Sequence, residues 1–414
     1  MSATTSVEFL VWLLIAASAI AIVAKRLRVP YTAALVLGGV LLSLVRLHHL
    51  SPFENGQSPH WLTAEVILIL VLPALVFEGS VKLNLRALLQ NAVPLLLLAV
   101  FGVLIAAAVT GFVVHWIAGL TLLTALIFGA IISATDPISV LAVFRNLRMS
   151  KRLSVLIEAE SLLNDGTAAA LFQIVAAAVI ANHLSVARGA GLFLVQVVGG
   201  AALGLLLGYA MSRLTATIDD AEIEITLTTI VAYGSYLLAR HLHLSGIIAT
   251  ATAGLIVGNI GAPQGMSSRT RTALVSFWEY LSFVMNSLIF LLIGLEVHIN
   301  ALLASWRPVI LAILAVLAGR AISVYLLVPV SNRLSEKIPF SWQHVMVWGG
   351  LRGGLALALA LSLDDHFPDR ALLLNLTFGV VIFSILVQGL TIKPLLRIIG
   401  LAQEKSAAEI NANA

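Results

Sequence analysis

Apolar runs of about 17 to 28 residues recur from one end of this chain to the other, joined by connections too short to hold a separate soluble domain. A helix needs about 20 such residues to cross a hydrocarbon core, and only helices and closed barrels satisfy their backbone polar groups there. The pattern predicts an all-α polytopic membrane protein with about thirteen spans, near 7–24, 31–46, 63–80, 91–115, 120–145, 152–181, 188–212, 222–240, 244–260, 272–296, 302–330, 341–363 and 371–396. Charged residues make up only 11% of the chain, against roughly 25% in a soluble domain.

The basic residues set the orientation. With the N-terminus outside, seventeen Lys and Arg fall on the cytoplasmic side, from Lys25 and Arg26 to Arg397 and Lys405. The opposite side receives five, Arg46, Arg188, Arg240, Arg307 and Arg370, while Arg320 and Arg352 lie within spans. Positive charge concentrates on cytoplasmic loops, so the C-terminus is expected inside. The net charge of +4 and pI near 9.5 then reflect loops lying against anionic membrane lipid, and nucleic-acid binding has no support. The first apolar run precedes its basic cluster, which reads as a retained helix. Cysteine is absent, which excludes disulfides, thiolate metal sites and cysteine nucleophiles. Residues 403–414 read as a short disordered tail.

Two carboxylates lie where lipid opposes them: Asp136 in Ala134-Thr135-Asp136-Pro137, and Asp165 closing Glu160-Ser161-Leu162-Leu163-Asn164-Asp165. An ionised carboxylate at bilayer depth costs at least roughly 2.5 kcal/mol, and such a residue marks function by default. A bound cation or a proton recovers that cost. Structural acids satisfied by helix N-termini are the bland alternative.

The spans divide as six, one and six, and the fifth helix of each six is interrupted at a similar place. The first interruption contains Pro137, which removes a backbone donor and clashes with the preceding turn. The second, Gly349-Gly350-Leu351-Arg352-Gly353-Gly354, holds four glycines in six residues, which weakens a helix. Paired broken helices are the sign of inverted-repeat transporters with a midplane site. Close packing at the glycines and a simple proline kink would explain each one singly. Gly200, Gly204 and Gly208, like Gly254 and Gly258, form small-residue stripes suited to internal packing or to a dimer face.

On the sixth span, Glu160 and Asn164 are four apart, as are Ser161 and Asp165, so both pairs share one helix face. Ser161 and Asp165 offer oxygens that suit a hard cation, and an unwound fifth helix can add the Asp136 carboxylate and the Thr135 carbonyl or hydroxyl. Burial raises a carboxyl pKa and a nearby cation lowers it, so proton and cation compete for such a site. His-Glu-x-x-His, Gly-x-Ser-x-Gly and P-loop patterns are absent, which speaks against a zinc enzyme, a serine hydrolase or an ATP-driven pump.

Arg320, in Gly319-Arg320-Ala321, cannot lose its charge and needs a partner in the membrane; Glu160 is the candidate, either as a structural ion pair or in transport. Arg352 either offsets the negative ends of half-helices or orients the cytoplasmic mouth. Glu78 reads as a structural residue near an interface. Nine of the ten histidines, all but His344, fall near the outer face as interfacial groups or pH sensors.

These motifs resemble the first cation/proton antiporter family, the bacterial NhaP-type sodium/proton antiporters and animal sodium/proton exchangers. Ala134-Thr135-Asp136-Pro137, Glu160-Ser161-x-x-Asn164-Asp165, Gly319-Arg320-Ala321 and Gly349-Gly350-Leu351-Arg352-Gly353 carry the match, and Phe77-Glu78-Gly79 supports it weakly. The resemblance implies sodium and proton as the transported species, with no further cofactor. It implies Asp165 as the principal carrier, coordination completed by Asp136, Ser161 and Thr135, and a Glu160–Arg320 ion pair beside Asn164. Asn164-Asp165, where an electrogenic branch has Asp-Asp, implies electroneutral one-for-one exchange. The implied NhaA-like fold is a homodimer of two inverted six-helix repeats in the plasma membrane. Its scaffold would span 1–90 and 222–296, its transport core 91–181 and 302–396, with 188–212 as linker helix and 397–414 as cytoplasmic tail. Potassium/proton exchange uses the same ligands, and a cation channel could use the same acids as a selectivity ring.

Overall fold

The computed structural model describes residues 3–27, 29–44, 64–183, 185–297 and 299–401. The expected tail at 403–414 lies outside the described residues, as do His48, His49, His60 and His298 of the outer-face histidines.

Among the described residues the chain is all helix. It runs through α1 (Ala3–Leu27), α2 (Tyr31–Leu44), α3 (Ala64–Lys82), α4 (Leu85–Gln90), α5 (Ala92–Ala118), α6 (Leu122–Ser133), α7 (Ile138–Leu147), α8 (Lys151–Ile180) and α9 (Val186–Thr215). It continues through α10 (Ala221–His241), α11 (Gly246–Gly265), α12 (Ser268–Leu295), α13 (Ile299–Ala304), α14 (Trp306–Leu334), α15 (Phe340–Trp348), α16 (Gly354–Leu361) and α17 (Arg370–Ile398). Nine helices among these residues are long and apolar enough to cross a membrane, counting α6 and α7 together.

Local chemistry sets several helix ends. Asp220 accepts from the backbone N–H groups of Glu222 and Ile223 to start α10, and Ser245 accepts from Ile248 to start α11. Gly119 closes α5 in the left-handed region, at φ 67°.

The glycine stripes pack inward. A methyl group on Gly200, Gly204 or Gly208 of α9 would strike the carbonyls of Ser245, Ala249 and Ala253 on α11. One on Gly254 or Gly258 of α11 would strike Ser80 and Val81 of α3. Backbones can approach this closely only where no side chain intervenes, so both stripes serve internal packing. Phe77 of α3 packs against Trp278 of α12 with ring centroids 4.6 Å apart, and Trp278 Nε1 donates to Thr228 of α10 at 3.1 Å. By contrast, α1 and α9 leave Val7, Val11, Trp12, Leu194, Val198 and Leu206 exposed.

Two interruptions organise the interior. Helix α6 stops at Ser133 and α7 begins at Ile138; α15 stops at Trp348 and α16 begins at Gly354. The two extended stretches meet, with the Asp136 N–H donating to the Leu351 carbonyl at 2.8 Å.

Candidate functional site

Each stretch leaves backbone groups that a continuous helix would have paired. At the first, Ala134 turns extended (φ −60°, ψ 139°), and Pro137 has no N–H to offer. Arg352 Nη1, from the second stretch, donates to the carbonyls of Ser133 and Ala134 at 3.2 and 3.3 Å. A buried cation thus sits at the negative end of α6. The second stretch is held from behind: the Arg352 N–H donates to Ser384 Oγ (2.8 Å), Ser384 Oγ to Gln388 Oε1 (2.6 Å), and Gln388 Nε2 to the Trp348 carbonyl (3.0 Å). Ser384 and Gln388 lie in a π-helical turn of α17, a local widening often found at functional sites.

Helix α8 braces the first stretch. Asn164 Nδ2 donates to Thr135 Oγ1 at 2.7 Å, its Oδ1 accepts from the Thr135 N–H at 3.3 Å, and Ser161 Oγ donates to the Thr135 carbonyl at 2.5 Å. Thr135, Ser161 and Asn164 are therefore one hydrogen-bonded unit, with Asn164 acting on the backbone that carries Asp136. Asp136 Oδ1 accepts from the N–H of Ile138, the first residue of α7, at 3.0 Å. Asp165 Oδ1 is buried and accepts no hydrogen bond. An uncompensated carboxylate oxygen of this kind costs free energy until a cation or proton reaches it.

Asp136, Asp165, Ser161 and Thr135 line one cavity of about 360 Å³. Its wall also carries Glu78, Glu158 and Glu279 beside Lys82 and Arg145. Lys82 Nζ bridges Glu78 at 2.5 Å within α3 and Glu279 of α12 at 2.7 Å, and all three border the cavity. Glu158, Glu279 and Asn286 on this wall were not singled out in the sequence. Their spacing carried a signal: Glu158, Ser161 and Asp165 lie at i, i+3 and i+7 of α8, as do Glu279, Ser282 and Asn286 of α12.

Glu160 turns away from this cavity. Its carboxylate receives Arg320 Nη1 at 2.5 Å and Nη2 at 2.8 Å, and Arg320 Nε and Nη2 donate to the Met346 carbonyl at 3.1 and 2.9 Å. The guanidinium lies under the second stretch, where a methyl on Gly350 would come 2.8 Å from Arg320 Nε. The pair fastens α8 to α14 and α15, and a fully hydrogen-bonded geometry is what makes a buried ion pair tolerable. Of the residues expected at the breaks, Pro137, Gly350, Arg352 and Gly353 all lie at this crossing; a Cβ on Gly353 would fall 2.9 Å from Asp136 Cγ.

The family described as sodium/hydrogen exchanger, transmembrane, matches residues 13–398. The chain is 41% identical over 395 residues to the Na(+)/H(+) antiporter NhaG of Bacillus atrophaeus, spanning 94% of this chain and 74% of that protein. It is 38% identical over 401 residues to the Na(+)/H(+) antiporter NhaH of Halobacillus aidingensis, spanning 96% and 98%. The solved structure of the sodium proton antiporter MjNhaP1 from Methanocaldococcus jannaschii at pH 8 superposes with a TM-score of 0.81, covering 97% of this chain and 100% of that one. At 21% identity, that likeness speaks for the fold. With a match over nearly its whole length and relatives near 40% identity, this chain belongs to the sodium/hydrogen exchanger family.

Proposed function

We propose that the protein is a secondary active sodium/proton antiporter that exchanges one sodium ion for one proton by alternating access. The observation that carries this reading is the unpartnered, buried Asp165 Oδ1 on the same cavity wall as Asp136, Ser161 and Thr135. Asp165 is the principal carrier, and Asp136, Ser161 Oγ and a Thr135 oxygen complete the sodium shell. Asn164 keeps the Thr135 backbone extended. Sodium and proton satisfy the same carboxylate oxygens, so occupancy by one displaces the other and neither crosses uncompensated.

In this reading thirteen spans form two inverted six-helix repeats. Residues 91–181 and 302–396 make the moving core; 1–90 and 222–296 make the scaffold of a homodimer, with 188–212 between. The N-terminus lies outside and the C-terminus in the cytoplasm of a prokaryotic plasma membrane. The cavity then opens inward, where Glu78, Glu158 and Glu279 together with Asp136 and Asp165 outnumber Lys82 and Arg145 and favour cations. The names of the NhaG and NhaH relatives support sodium as the cargo.

Reconstitution into proteoliposomes tests the reading. An imposed sodium gradient should drive opposite proton movement that is unchanged by clamping the voltage, and Asp165→Asn should abolish it. Full exchange by Asp165→Asn, or sodium flux that needs no counter-ion in the unaltered protein, would reject it.

A further inference from the structure

A second cavity, of about 450 Å³, lies on the far side of the site, lined by Gln173, Tyr236, Arg240 and Ser245 among others. The two cavities are stacked along the same three helices. Helix α8 gives Ser161 and Asp165 to the first and Ala169 and Gln173 to the second; α16 gives Ala356 to the first and Leu359 to the second. From Asp165 to Ala169 is four residues, about 6 Å of helix rise. The partition between the cavities is therefore about one side-chain layer thick.

Among the described residues, Leu72 of α3 is the one that lines both cavities, and it is 5% exposed. It is followed by Pro73, inside α3, which cannot donate the hydrogen bond of a regular helix turn. On α8 the turn between the cavities reads Gly166-Thr167-Ala168-Ala169; Ala169 lines the second cavity, and Gly166 packs against Ile248 of α11. We infer that Leu72 is the gate between the two cavities: its isobutyl group is the apolar plug that keeps the Arg240-side cavity from reaching Asp165 while the Lys82-side cavity is open. The consequence for coupling rests on the antiport reading; the barrier itself does not.

The native chain has no cysteine, so single cysteines report accessibility without background. Leu75→Cys, one turn along α3 on the wall of the first cavity only, is placed in the otherwise unaltered protein and beside Leu72→Ala, and sealed vesicles of each orientation are treated with a membrane-impermeant thiol reagent. Labelling is expected from the Lys82 side alone with Leu72 present, and from both sides with Leu72→Ala. In proteoliposomes Leu72→Ala should also raise counter-ion-independent sodium flux by at least about tenfold, because a barrier acts on rate exponentially. Leu72→Met, of similar volume, should keep one-sided labelling and tight exchange. Leu72→Val serves as the milder variant should alanine impair folding, which retained labelling from the Lys82 side would exclude. One-sided labelling in a folded Leu72→Ala or Leu72→Val protein overturns the gate. Two-sided labelling without any sodium/proton exchange in the parent would keep the gate and reject antiport.

Discussion

Arg320 grips Glu160 through two parallel hydrogen bonds, Nη1–Oε1 at 2.5 Å and Nη2–Oε2 at 2.8 Å, where the residues are only 6% and 2% exposed. The pair joins α8, which carries Asp165, to the end of α15, just before the second interruption. Removing one partner strands a buried charge, at a cost of about 3–5 kcal/mol, whereas replacing both by apolar groups is often neutral. Glu160→Gln and Arg320→Met should each lower the apparent melting temperature in detergent sharply. The double variant Glu160→Met/Arg320→Met should recover most of that loss.

Gly353 is where the two interruptions come closest around Asp136. A Cβ there would fall 2.9 Å from Asp136 Cγ and closer still to Oδ2, so the carboxylate must move. A displacement near 1 Å of a reacting group can lower a rate on the order of a hundredfold. Gly353→Ala should lose most sodium-driven proton movement while its melting temperature changes little. Equal loss of both would mean that the glycine serves folding alone.

The helices were readable because apolar runs end at charged or glycine-rich connections, and the interruptions because Pro137 and the four glycines disfavour helix where the flanks demand it. On α8, fourfold spacing places Ser161 beside Asp165 within one helix, but it does not say that Glu160 of the same run turns to Arg320 and away from the cavity. Partners distant in the chain were harder. Lys82 is 197 residues from Glu279, and nothing local says that α12 brings that carboxylate to the cavity wall. The direction of Arg352 depends on which carbonyls the first stretch exposes, and the glycine stripes on which helix lies opposite. In a span that is apolar almost all round, periodicity gives depth and says little about neighbours. Charge compensation supplied the exception: Arg320 had to find an acid, and Glu160 stood at the right depth.

Arg352 reaches two carbonyls at once through Nη1, and its backbone N–H binds Ser384. Lysine keeps the charge but concentrates it in a compact ammonium and lacks the planar fork. Arg352→Lys should therefore retain slowed exchange, and Arg352→Gln, which leaves the negative end of α6 without a cation, should lose it. A transport assay separates the two; equal rates in both variants would show that the charge is not what matters.

Competition between sodium and proton fixes the sign of the pH dependence. A protonated Asp165 cannot hold sodium, so acidification raises the sodium concentration needed for half-maximal exchange without lowering the maximal rate. For one shared proton site the shift approaches about tenfold per pH unit on the acidic side and vanishes on the alkaline side, where the carboxylate is already free. Ser161 Oγ carries no charge and does not titrate, so Ser161→Ala should raise the half-saturating sodium concentration by a similar factor at every pH. Exchange rates across a sodium series at several pH values test both. Curves in which acidification lowered only the maximal rate would place the titrating group away from the sodium site.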